Sequence, residues 1–131
     1  MDAAQALADL TEISSQIEAA VLFDESGSVQ GSTLADDGTA AELARAAGEL
    51  LERSGGFRST GAVTQLEAAT DEGSVFVVSD GARRIAATTA PQPTVGLVFY
   101  DLKSCLRNAD TDAEAEKPKR APRRKPEAED A

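Results

Sequence analysis

The sequence predicts an α+β domain: a five-stranded antiparallel sheet with helices on both faces, in the order αββαβββα. Three observations carry that reading. The stretches "IEAAVLFDESGSVQGST" (17–33) and "AVTQLEAATDEGSVFVVSDGARRIAATT" (62–89) set β-forming runs around turn residues at hairpin spacing. Three other segments repeat apolar residues at three- and four-residue steps, the mark of amphipathic helices. Within the hairpins, Ala20 to Phe23 and Val75 to Val78 are apolar without a break. Strands of that kind need cover on both faces.

The first helix follows from Ala3, Ala6, Leu7, Leu10 and Ile13, with Asp2 placed to cap it and Ser14-Ser15 to end it. The first hairpin turns at Asp24-Glu25-Ser26-Gly27, where Gly27 suits a positive φ. Its first strand is expected to sit centrally, with the terminal helices on one face and the middle helix on the other. In "DDGTAAELARAAGELLERSGG", Thr39 and Glu42 read as a capping box, and Asp36-Asp37 add charge at the helix start. Ala40, Leu43, Ala44, Ala47, Leu50 and Leu51 share one face of that helix, and Gly55-Gly56 stops it.

Three strands are expected from Ala62 to Ala90, turning at Asp71-Glu72-Gly73 and at the two-residue signal Asp80-Gly81. The segment "PTVGLVFYDLKSCLRN" (93–108) is rich in β-formers at its start. Val95, Val98, Phe99, Leu102, Cys105 and Leu106 nevertheless keep helical spacing throughout, so its length predicts a helix.

Composition narrows the function. The chain holds 131 residues, enough for one domain, and no His. That removes the commonest general base near neutral pH and the commonest metal ligand. One Cys without His builds no usual structural zinc set and no internal disulfide, which fits a reducing cytoplasm. Neither a membrane span nor a secretion signal is legible, and a cytoplasmic location is expected. Nothing points to catalysis or to a cofactor, so a non-enzymatic protein is expected.

Residues 1–108 carry 16 acids and 7 bases, net −9, and residues 109–131 carry 7 acids and 6 bases, net −1. An acidic folded part argues against general binding to nucleic-acid backbones. The segment from Ala109 to Ala131 has little apolar content beyond Ala and is expected to be a disordered, charge-balanced tail. Its basic run "KPKRAPRRK" (117–125) leaves open a nucleic-acid or membrane-surface contact beside a merely solvated role.

Other candidate motifs read as structure. "GSVQGS" is no phosphate loop, because no helix starts directly after it. Cys105 falls on an apolar helix face as a buried thiol. Asp36-Asp37 lack the further oxygen ligands of a cation site.

The order of elements, both hairpins, and above all "AAVLFDESGSV" resemble the Roadblock family of dynein light chains and their bacterial relatives. The resemblance covers Ala3 to Asn108 and implies a profilin-like fold assembled as a homodimer with a continuous sheet. Carried onto this sequence, it implies that the strand of Ala62 to Thr70 pairs with its twin and that the helix of Ala40 to Arg53 packs antiparallel to its twin. The expected interface is Ala40, Leu43, Ala44, Ala47, Leu50, Val63, Leu66 and Ala68. The Ala positions leave little side chain to hold a partner helix away.

The family implies a regulator of a small Ras-like GTPase, including activators that contribute no catalytic arginine. Arg45, Glu49 and Glu52 are the expected partner-binding residues. A light-chain-like structural scaffold is the second reading. A small-ligand sensor is the third, although five aromatics without Trp or His supply no evident set of pocket residues.

Overall fold

The computed structural model describes residues 2–55 and 62–116. Its elements are α1 (Ala3–Ile13), β1 (Ile17–Asp24), β2 (Val29–Ser32), α2 (Asp37–Ser54), β3 (Gln65–Thr70), β4 (Gly73–Ser79), β5 (Arg83–Thr89) and α3 (Val95–Glu116). The strands form one antiparallel sheet in the order β2-β1-β5-β4-β3. The predicted αββαβββα order is therefore observed.

β1 lies inside the sheet but β5 takes the centre, because β5 pairs with both β1 and β4. Ala20, Val21, Leu22 and Phe23 are all buried, and alternate residues feed two separate cores. Ala20 and Leu22 join Phe76, Val78 and Ile85 beneath α1 and α3. Val21 and Phe23 join Val77 and Ala86 beneath α2. The helices thus divide as the sequence predicts. On the α1/α3 side, Phe76 meets the ring of Phe99 edge-on at 5.0 Å between centroids. Such a pair contributes ~0.5–1.5 kcal/mol beyond its buried area.

The ends of α1 behave as expected, with the Asp2 carboxylate accepting the Gln5 amide at 2.8 Å. Ile13 does not follow its predicted face and is 71% exposed, since it ends the helix on the rim of a groove shared with Tyr100.

The start of α2 differs from the predicted capping box. Asp36 is the cap, and its carboxylate accepts both the Thr39 amide at 2.9 Å and the Thr39 hydroxyl at 2.6 Å. With Asp36 as the cap the helix starts at Asp37, so the Glu42 amide that Thr39 was expected to cap falls inside the helix. β3 starts at Gln65 rather than Ala62, although the Thr64 carbonyl still accepts the Ser79 amide. The last hairpin also shifts by one residue. Asp80 donates its amide to the Arg83 carbonyl, so the two central turn residues are Gly81 and Ala82. Gly81 has φ +109°, the glycine-first pattern of a type II′ turn.

α3 is a helix from its first β-rich residues onward, and the Thr94 carbonyl accepts the amides of Leu97 and Val98. It continues through Glu116, and Ala109 is buried in the core. The last core residue thus lies one position inside the segment that the sequence assigns to the tail. The basic run 117–125 lies outside the described residues. No described helix is long and apolar enough to cross a membrane.

Candidate functional site

α2 lies over β1, β2 and β5, toward one side of the sheet. That placement creates two surfaces: a groove where α2 meets the β1–β2 turn, and a strip of β3 and β4 beyond its cover.

The groove encloses about 440 Å³. Its floor is Phe23, Ala44 and Gly48, and one wall is the turn Asp24 to Gly27. Asp24 builds that wall. One of its carboxylate oxygens accepts the Ser26 amide at 2.9 Å, the Ser26 hydroxyl at 2.7 Å and the Ser28 amide at 3.0 Å. Gly27 completes the turn at φ +90°, a backbone region that disfavours other residues. The Ser26 hydroxyl, then the Ser28 amide, hold the Asp24 carboxyl below the ordinary carboxylate pKa, so the wall stays anionic.

The opposite wall is the exposed side of α2, where Arg45, Glu49 and Glu52 come together. All three predicted partner-binding residues therefore face one concave surface. Arg84 joins them from below. It stands opposite Phe23 on β5, and its side chain is only 12% exposed. It reaches Glu52 at 3.2 Å. Gly48 lies beside it, and a Cβ there would meet Arg84 Nη1 at 3.7 Å, an ordinary contact. Arg84 Nε is buried without a hydrogen-bond partner. Sequence reasoning passed over Arg84 and the turn as parts of this site. The available signal was an arginine in phase with Ala86, on the α2 face of a strand.

The predicted dimer-interface residues divide into two groups. Ala40, Ala44 and Ala47 are 0–1% exposed and pack on Val21, Phe23, Val77 and Ala86 of their own sheet. They do not face outward. The apolar side of an amphipathic helix meets its own sheet first, and Ala side chains let the two layers approach closely. Leu43, Val63 and Leu66 are only partly buried at the margin of that core, with Val75 beside them. Ala68 lies two residues along the same strand face, and Leu50 is 36% exposed on α2. Leu43, Val63, Leu66 and Val75 border the strip that α2 leaves open. β3 is an edge strand, and no described strand pairs with its outer side.

Among the described residues there is no cluster of potential metal ligands. Cys105 is buried, and its thiol contacts the Ala6 carbonyl at 3.5 Å. Burial, with the Asp9 carboxylate adding to it, pushes its pKa up to about 11. It is a core thiol, as its place on the helix face predicts.

No protein-family model and no curated protein matches the chain. Solved structures do. A Roadblock/LC7 domain from Streptomyces avermitilis superposes with a TM-score of 0.76 at 21% identity, covering 86% of this chain and 98% of that one. The gliding protein MglB from Thermus thermophilus gives 0.72 at 13% identity, with coverage of 86% and 89%. MglB from Myxococcus xanthus gives 0.66 at 14% identity, with coverage of 86% and 92%. The chain has the Roadblock/LC7 fold, as its two hairpins and element order imply.

Proposed function

We propose that this chain is a non-enzymatic, dimeric Roadblock-domain protein that regulates or scaffolds a small Ras-like GTPase. The observation that carries the dimer is the unfinished β3 edge beside the half-covered Val63, Leu66 and Val75. Soluble proteins rarely leave an apolar edge of this kind unpaired. A second copy, paired through β3, would extend the sheet and cover the strip. One solved structure shows MglB with a tetrameric arrangement, and that likeness supports self-association here.

The partner surface is the groove that holds Arg45, Glu49 and Glu52. Its mixed charge suits a reversible polar partner better than an obligate apolar one. The dimer would favour the GTP state by ordering the GTPase's own switch loops, without donating a catalytic group.

The test is affinity capture from native lysate with a GTP analogue or with GDP, using wild type and the E49K/E52K variant. A small Ras-like GTPase enriched with the GTP analogue and weakened several-fold by the variant is expected. A GTPase captured equally by both proteins would refute the groove as its site. Capture of none in either nucleotide state would leave the structural-scaffold reading.

A further inference from the structure

The groove is acidic, and the segment that follows α3 is basic. Asp24, Glu25, Glu42, Glu49 and Glu52 line the groove against only Arg45 and Arg84, net −3. The length of α3 alters the charge balance of the segment beyond it. Residues 109–131 sum to −1, but the helix takes Asp110, Asp112, Glu114 and Glu116. Residues 117–131 are left with six bases and three acids, net +3, and the six bases all fall within 117–125.

Position favours the same pairing. Leu106 and Arg107 of α3 share a cleft with Ser79 and Asp80, so the helix passes the end of β4 there and runs on to Glu116. β1 ends at that same end of the sheet, since Asp24 is paired with Arg83 and Ser79 with Arg84. Asp24 is the groove's wall. Nine extended residues span roughly 30 Å. That exceeds the ~14 Å by which α3 outruns Arg107, so the run can return to the end of the sheet.

We propose that the basic run Lys117–Lys125 docks across the groove of its own chain, placing its cations between the β1–β2 turn and the Glu42, Glu49 and Glu52 side of α2. The apolar floor of Phe23 and Ala44 receives the methylene stems of Lys and Arg, while the heads reach the carboxylate rim. Contact of this kind is reversible and falls with salt. The contact itself is independent of the GTPase reading. Its consequence rests on that reading: the tail would cover the partner's site, and a partner would have to displace it.

The test compares the full ¹⁵N-labelled chain with a full-length variant carrying K117S, K119S, R120S, R123S, R124S and K125S, in the absence of any GTPase. Amide shift differences are expected at Asp24–Gly27 and Arg45–Glu52, and they should disappear near 0.5 M NaCl. The reciprocal variant E42Q/E49Q/E52Q should shift the amides of 117–125. Differences confined to 110–131, or lying on α1 or the β3–β4 turn, would overturn the proposal. Capture of the GTPase should rise several-fold in the tail variant. Observed docking without that rise would leave the contact standing and remove the groove as the GTPase site.

Discussion

Arg84 Nη2 lies 3.2 Å from Glu52 Oε2, so one ion pair joins the central strand to α2 at the mouth of the groove. The two partners differ in their surroundings, with side chains 12% and 70% exposed. Glu52→Ala should therefore cost under about 1 kcal/mol, because an exposed carboxylate gains little from pairing. Arg84→Ala should cost more, since it also removes a side chain that is only 12% exposed. Thermal melts of both variants check the order. Equal losses would mean that the pair, not the stem, dominates.

Ala47 offers a second contrast. It is fully buried against its own sheet. Ala47→Glu should place an unpaired carboxylate in that core at a cost of several kcal/mol. Circular dichroism should show a lost or broadened unfolding transition. A variant that keeps the wild-type melt and merely changes its association would place Ala47 at an interface instead.

Leu66→Glu addresses the open strip. Leu66 is only partly buried, so the variant should stay folded while losing self-association. Circular dichroism and light scattering read the two properties separately. An associated Leu66→Glu protein would remove β3 from the interface.

Acid should weaken the fold through two carboxylates that accept backbone amides, Asp24 in the β1–β2 turn and Asp36 at the α2 cap. The Asp24 and Asp36 carboxyls are both held below their ordinary value of 3.8, chiefly by the Ser26 and Thr39 hydroxyls. A depressed folded pKa stabilises the native state above the unfolded pKa and loses that contribution as pH falls through the folded one. Melts should therefore hold from neutral pH to about 4 and decline below it. The D24A/D36A variant should start lower and decline less over the same acid range. An unchanged decline would assign the acid sensitivity to other groups.

Cys105 should resist an aromatic disulfide reagent at pH 8 in the native state, since burial holds its pKa near 11. It should react fully once the chain is unfolded. Native reaction at the rate of a free thiol would contradict its burial.

Much of the fold was legible because local signals agree along the chain. Asp2, the Asp24–Gly27 turn and the helical phase of Val98, Leu102 and Cys105 each point to the element that is observed. The departures lie where two residues compete for one role. Asp36 displaced Thr39 as the cap, and the turn settled on Gly81-Ala82 rather than Asp80-Gly81. The site was legible only in part. Arg45, Glu49 and Glu52 were recognisable by their phase on α2, but the groove needs Arg84 and the β1–β2 turn, which only the packing of layers brings beside them. Helical phase also identified Ala40, Ala44 and Ala47 as an apolar face without indicating which surface would cover it.

The most direct test of a two-chain assembly is the solution mass of the wild-type protein, by multi-angle light scattering at micromolar concentration. The chain mass is 13.6 kDa, so pairing through β3 predicts a species of about twice that value. A single species at 13.6 kDa across that concentration range would contradict the dimer and the regulator built on it.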